Sequence, residues 1–173
     1  MTERCVDSLV LRPLAPEDYT ALHSILSARD DMTWERTRAT PEYTRHLLEF
    51  RLRHYETYGF GTMAVEDANG EVIGQAGLQV LTDIDRDAVE FVVFLASTHV
   101  TRGYGTVLTQ YYISVARECG LKNLYATVRP ENVPAERLVR RLGFEPVGTS
   151  SHFGVPSTLW RFALQPSERQ AGA

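Results

Sequence analysis

The sequence predicts an α/β (α+β) protein with a mixed, mostly antiparallel central sheet flanked by helices. Three observations lead there. Short runs rich in β-branched and aromatic residues alternate with longer stretches whose apolar residues recur every three or four positions. The middle of the chain, from Phe60 to Leu95, reads as consecutive strands joined by turns, a meander. The passage from Val89 to Val128 then runs strand, helix, strand, which predicts a parallel, right-handed crossover.

Leu9–Leu14 (LVLRPL) is the first predicted strand, stopped by Pro13. Pro16 opens a helical pattern with Leu22, Ile25 and Leu26 on one face. Arg29–Arg38 is charged and aperiodic, hence a loop. Thr40-Pro41 supplies a hydroxyl cap and a first-turn proline for a second helix, with Tyr43, Leu47 and Phe50 as its apolar stripe. Phe60–Val65 and Val72–Leu78 are strands, and the Asn69-Gly70 pair between them marks a hairpin. After the charged loop Thr82–Asp87 comes the strand Val89–Leu95. Val107, Leu108, Tyr111, Tyr112 and Val115 then form a helical stripe that Gly120 ends. Leu124–Val128 is a strand, and Val133–Leu142 a helix with Leu138, Val139 and Leu142 on one face. Gly143 gives that helix a left-handed end, with Phe144 folding back on Val139. Phe144–Val147 and Thr158–Leu164 are the last strands. Residues 1–166 are expected to form a single domain and Ser167–Ala173 a frayed tail.

Composition limits the function. The chain has 173 residues, 43% hydrophobic and 23% charged, which is ordinary for a globular domain. Its formal net charge of -4 lacks the basic excess of a nucleic-acid binder or of a protein held on an anionic membrane. Two cysteines, Cys5 and Cys119, rule out a disulfide framework and a four-cysteine zinc site, and fit a reducing compartment. The polar start Met1-Thr2-Glu3-Arg4 is unlike a signal peptide, and the longest apolar run, Val89–Ala96, is interrupted by Glu90. A cytoplasmic protein is expected.

The segment Arg102-Gly103-Tyr104-Gly105-Thr106 lies between a predicted strand and a predicted helix. Glycines let a backbone approach a ligand, and the first amides of a helix are free to donate to an anion that the helix dipole also favours. Arg102 would add a full charge and a forked donor set. Two glycines are equally what a strand-to-helix turn needs for left-handed angles alone. A Walker loop requires Lys after its last glycine, where Thr106 stands, and a dinucleotide fingerprint requires a third glycine where Leu108 stands. Both are excluded.

From Val89 to Phe144 the chain resembles the GNAT superfamily of N-acetyltransferases, in the branch of the ribosomal-protein N-terminal (RimJ/RimL-type) enzymes. Three pieces carry the resemblance in order: Glu90–Leu95 (EFVVFL), the turn Arg102–Thr106, and Glu131-Asn132 through Arg140-Arg141-Leu142-Gly143-Phe144. Leu9–Leu14 followed by Asp18 is similar to the branch's opening. The resemblance implies acetyl-CoA as donor and co-substrate, no metal, and a splayed parallel pair, Val89–Leu95 and Leu124–Val128, whose gap admits the thioester. It implies that backbone groups of Leu95, Ala96 and Ser97 hold the pantetheine arm and that the amides of Arg102, Gly103, Tyr104, Gly105 and Thr106 hold the pyrophosphate. Asn132 would reach the coenzyme; it is equally the N-cap expected before Val133-Pro134, and the two roles are compatible.

The chain departs from the family pattern in places. Val100 stands where many members have Gln or Arg. Ala135 and Val139 stand where relatives carry Ser or Tyr to protonate the leaving thiolate, and neither can donate a proton. A thiol pKa near about 8.5 makes the thiolate a fair leaving group unaided, so the loss slows the reaction without forbidding it. The acceptor weighs more. Neutralising a lysine-type amine at pH 7 costs about 4.6 kcal/mol, an α-amine only about 1–1.4 kcal/mol.

Glu90 is the candidate catalytic base, since it interrupts an apolar strand and burial would raise its pKa. A carboxylate on the solvent face or paired to Arg would look the same in sequence. Tyr125 is an alternative acid; His99 reads as surface. A backbone amide near Leu95–Ala96 would polarise the carbonyl. The loop with Asp31 and Trp34 would contact a cationic acceptor, or is simply solvated. The expected acceptor is a protein N-terminus or a small-molecule amine. A protein that binds acyl-CoA without turnover, as a sensor or interaction module, is the competing reading that Ala135 and Val139 keep open. Exposed aromatics of the last strands, Phe153 or Trp160, would serve a homodimer.

Overall fold

The computed structural model describes residues 3–28, 39–81, 88–151 and 156–164. The expected loops at 29–38 and 82–87, Phe153, and the expected tail lie outside the described residues, as do Asp31 and Trp34. The chain forms two compact units, one of Met1–Gln79 with Val92–Leu108 and one of Val80–Phe91 with Thr109–Ala173.

In the first unit a hairpin absent from the sequence reading precedes the predicted first strand. Strand β1 (Arg4–Val6) pairs antiparallel with β2 (Leu9–Pro13), Val6 opposite Leu9. Asp7 turns the chain at φ 57, a left-handed angle that Asp tolerates better than most residues. Strands β2, β3 (Thr62–Glu66) and β4 (Val72–Val80) are antiparallel in sequence order. The β3–β4 turn is the expected Asn69-Gly70 hairpin: Gly70 sits at φ 78 and Asp67 Oδ1 accepts from the amides of Asn69 and Glu71.

A short 3-10 turn at Pro16–Asp18 leads into α1 (Tyr19–Ser27), which buries Leu22, Ile25 and Leu26 as expected. Arg12 of β2 fixes this entry. Its guanidinium donates to both carboxylate oxygens of Asp18, at 2.7 and 2.9 Å, and to Glu66 at 2.6 Å. Asp18 also accepts from the Ala15 amide at 2.8 Å. Burial alone would push the Asp18 carboxyl up; the Arg12 hydrogen bonds, the Ala15 amide and the Arg12 charge outweigh it and hold the group below the usual carboxylate range.

Helix α2 (Pro41–Tyr58) starts and stops as its sequence indicates. The Thr40 hydroxyl accepts from the Tyr43 amide at 3.1 Å, and Gly59 ends the helix at φ 72. The buried face is a correction: it is Thr44, Leu48, Arg51 and His54 rather than Tyr43, Leu47 and Phe50, and Phe50 is 37% exposed. Three of the four are polar, and each finds an internal partner. The Thr44 hydroxyl donates to the Thr40 carbonyl, Arg51 Nη1 donates to Gln79 Oε1, and His54 Nδ1 donates to the Phe60 carbonyl. A buried polar group is tolerable when it is hydrogen-bonded, and hydropathy cannot show that. Leu14, Leu22, Leu48 and Ala64 form the adjoining core, each leucine worth about 1.5–3 kcal/mol of burial.

Strand β5 (Val89–Leu95) is shared between the units. Helix α3 (Tyr104–Glu118) likewise begins in the first and ends in the second. In the second unit β5 pairs parallel with β6 (Asn123–Val128), Glu90 opposite Tyr125, as the crossover predicts. β6 pairs antiparallel with β8 (Ser157–Ala163), and β8 with β7 (Glu145–Ser150). Helix α4 (Val133–Arg141) is capped at both ends. The Asn132 side chain accepts from the Ala135 amide at 3.2 Å. Gly143 turns at φ 92, and the Phe144 amide reaches back to the Val139 carbonyl at 3.0 Å. Trp160 corrects the expectation of an exposed aromatic on β8: it is 2% exposed, with the Arg140 guanidinium 5.1 Å from its ring centre.

Candidate active site

The glycine turn is built from the end of β5 onward, within the first unit. Leu95 closes the strand and is buried, and the Ala96 amide donates to the Ile73 carbonyl of β4 at 2.8 Å. Ser97–Arg102 then winds into a 3-10 segment that the sequence reading did not contain. Gly103 breaks it at φ 85, and α3 starts at Tyr104. A left-handed angle there is easy only for glycine. The position that a Gly103 Cβ would occupy has no atom within 4 Å, so this backbone faces open space. Arg102 is exposed beside it.

The first turn of α3 is a positively polarised helix end next to an arginine, which fits a phosphate group. The Thr106 amide also has an internal acceptor, the Gly103 carbonyl at 2.9 Å. His99 and Tyr104 stack 6.2 Å apart across the turn, and His99 Nδ1 lies 2.9 Å from the Thr98 hydroxyl.

Gly74 of β4 lies under this segment, and the sequence reading gave it no role. A Cβ there would meet the Phe94 carbonyl oxygen at 2.2 Å and Leu95 Cα at 2.9 Å. The signal was available: an isolated glycine inside a strand run often marks close backbone approach.

Glu90, Tyr125, Thr127 and Asn132 belong to the second unit. Glu90 is 6% exposed, so it is neither on the solvent face nor free of the chain around it. Its Oε1 accepts from the Thr127 amide of β6 at 2.9 Å. Thr127 was not a candidate, because nothing local marks a partner 37 residues away. Tyr125, the alternative acid, stands opposite Glu90 and packs against Leu81, Ala88 and Leu159. Asn132 takes its capping role on α4, and Oδ1 does the capping. Val139, one of the two positions lacking a proton donor, is 5% exposed; Ala135 is half-buried.

Comparisons with known proteins agree with this arrangement. Residues 8–145 match the model of the acetyltransferase (GNAT) domain. Over 104 residues the chain is 32% identical to an L-methionine sulfoximine/L-methionine sulfone acetyltransferase of Pseudomonas aeruginosa, a stretch covering 59% of this chain and 60% of that protein. Among solved structures, a GnaT-family acetyltransferase of Bordetella pertussis superposes with a TM-score of 0.79 at 24% identity, over 94% of this chain and 100% of that one. RimL, a ribosomal L7/L12 alpha-N-protein acetyltransferase solved with coenzyme A, superposes with a TM-score of 0.76 at 16% identity, over 96% of this chain and 100% of that one. With a glycine turn that suits a phosphate and a family match running from β2 to the start of β7, the chain belongs to the GNAT acetyltransferase family.

Proposed function

We propose that this protein transfers the acetyl group of acetyl-CoA to a primary amine. The observation that carries the reading is the turn itself: β5 ends, the backbone winds through Ser97–Arg102, and Gly103 at φ 85 opens the N-terminus of α3 toward open space beside Arg102. The amides around Gly103, Tyr104 and Gly105, with Arg102, hold the pyrophosphate, and the backbone of Leu95, Ala96 and Ser97 holds the pantetheine arm. Asn132 keeps its cap through Oδ1, and a coenzyme contact is proposed for it from the family resemblance.

The reaction needs no covalent enzyme intermediate. The neutral amine attacks the thioester carbonyl, the new C–N bond forms as the C–S bond breaks, the amine loses a proton to water, and the coenzyme leaves as its thiolate. The Ala96 amide already donates to the Ile73 carbonyl, which corrects it as the oxyanion donor; a neighbouring amide of this segment would stabilise the oxyanion. The amine's proton passes to water in this step, which favours acceptors whose amine is already partly neutral at pH 7. We therefore infer an α-amine, on a protein N-terminus or on a small amino-acid-like molecule. The Pseudomonas relative, named for two methionine derivatives, makes the second class a natural starting point. Asp31 and Trp34 are retained as acceptor contacts.

The test is calorimetric titration with acetyl-CoA together with a thiol-release assay. The amine pool should include L-methionine sulfone, L-methionine sulfoximine, an N-terminal peptide and spermidine. Binding with release driven by an α-amine supports the reading. Binding without release from any amine favours the competing sensor, which the absence of a proton donor at Ala135 and Val139 keeps in view. Absence of binding overturns both.

A further inference from the structure

The parallel ladder between β5 and β6 ends in an unusual way. Main-chain groups along a strand alternate between its two neighbours. The Lys122 carbonyl accepts from Leu164, on the β8 side. By alternation Leu124, Ala126 and Val128 turn their main-chain groups to β8, and Tyr125 and Thr127 turn theirs to β5. Glu90 stands opposite Tyr125 in parallel register, so a continuing ladder would deliver the Thr127 amide to the main-chain carbonyl of Phe91. That amide donates to the Glu90 side chain. The carboxylate occupies the place of the next acceptor on the main chain.

We propose that Glu90 is a positioning residue that ends the ladder beyond Glu90 and Tyr125, its side chain taking the Thr127 amide in place of the Phe91 carbonyl. Three properties suit the group to this task. A glutamate side chain reaches about as far as one main-chain step, so it can stand in for the missing carbonyl. A carboxylate–amide bond is charge-assisted and stronger than the main-chain bond it replaces. The bond is part-buried and Glu90 itself is buried, so leaving the Thr127 amide without this partner carries a cost. The inference rests on the acetyl-CoA reading only for its consequence, which is that the coenzyme's arm pairs with the β5 edge beyond Phe91. It gives Oε1 of Glu90 a holding task that is separate from proton abstraction and can be tested apart from it.

Glu90→Gln and Glu90→Ala separate the two tasks, because glutamine keeps an oxygen acceptor and cannot serve as a base. Each variant of the full chain is assayed for acetyl-CoA affinity by calorimetry, for kcat by thiol release, and for hydrogen exchange of the Thr127 amide by NMR. The expected result is that Glu90→Ala weakens acetyl-CoA binding tenfold or more and loses Thr127 protection, and that Glu90→Gln restores both to within threefold of the parent. A hundredfold fall in kcat for Glu90→Gln with unchanged acetyl-CoA affinity overturns the proposal and makes Glu90 the base. Equal Thr127 protection in parent, Gln and Ala proteins overturns it as well. The exchange measurement needs no coenzyme and, should Glu90→Ala fail to fold, the Gln protein alone decides: lost protection there contradicts the proposal. A parent that binds no acetyl-CoA would sink the function and leave the Thr127 readout to judge the ladder stop.

Discussion

Gly74→Ala is the substitution whose cost the structure fixes most sharply. The added methyl would sit 2.2 Å from the Phe94 carbonyl oxygen, 2.8 Å from Leu95 Cδ2 and 2.9 Å from Leu95 Cα. Favourable carbon contacts lie near about 3.5–4.0 Å, so β4 and the end of β5 must part by about 1.3 Å. Two of the three atoms are main chain and cannot swing aside as a side-chain tip can. Overpacking of this kind costs about 1–3 kcal/mol, and a backbone clash belongs at the top of that range. For a chain of this length about 3 kcal/mol lowers the melting temperature by about 6–12 °C. The displaced segment is Leu95–Ser97, so acetyl-CoA affinity should fall with stability. Calorimetric melting and titration measure both. Gly148→Ala is the control: it too lies in a strand, an added methyl meets no atom within 4 Å, and its melting temperature should stay within about 3 °C of the parent. A Gly74→Ala protein that melts with the control would refute the close-approach argument, and one that melts early yet binds acetyl-CoA normally would detach Leu95–Ser97 from the coenzyme.

Further outcomes follow from the same geometry. Gly103→Glu puts a side chain at a left-handed position and a negative charge at the α3 terminus; with Gly105→Glu it should abolish measurable acetyl-CoA binding, and survival of binding in both would remove the turn from the site. Asn132→Ala should lower stability by about 1 kcal/mol through loss of the α4 cap, whereas Asn132→Ser keeps a capping oxygen, loses the amide donor and adds no charge. Weakened acetyl-CoA binding in the Ser protein, with its melting temperature preserved, would identify the coenzyme contact; unchanged binding would leave Asn132 a cap. For Asp18 the folded carboxyl lies below its ordinary value, so the folded state binds fewer protons than the unfolded one. Its contribution is present above about pH 4 and lost as pH falls through the folded value. Asp18→Asn should be less stable than the parent at neutral pH and flatter in stability as pH falls below about 4; parallel curves for the two proteins would contradict this assignment.

Local signals in the sequence carried over to the structure with little change. The Thr40 cap, the Asn69-Gly70 turn and the Gly143 helix end are decided by residues within a few positions of one another, and all three appear where the sequence puts them. The parallel pairing of β5 with β6 followed from a crossover rule and needed no contact information. What escaped was non-local or polar. Hydropathy placed Phe50 inward and left Arg51 and His54 out, because nothing in the sequence shows that Gln79 and the Phe60 carbonyl wait for them. The β1–β2 hairpin escaped because its turn uses Asp7 where a glycine would have announced it. At the site, the glycine turn was legible as a pattern; the 3-10 approach to it, the Gly74 contact and the Glu90–Thr127 bond were not.

The β3–β4 turn has a chemical consequence of its own. Asn followed by Gly is the pair most open to deamidation, in which the glycine nitrogen attacks the asparagine side-chain carbonyl and ammonia leaves. Here the Gly70 amide is engaged by the Asp67 carbonyl at 3.0 Å, and Asn69 Nδ2 by Asp67 Oδ2 at 3.1 Å. Both reacting groups are thus tethered to one residue, and that tether slows ageing at an exposed turn. Once ammonia is lost and water has opened the resulting imide, the same closeness works in reverse: a new carboxylate would face Asp67 at hydrogen-bond distance with no proton to share. A preparation stored long enough should accumulate a more acidic form whose first structural change is the opening of this hairpin tip.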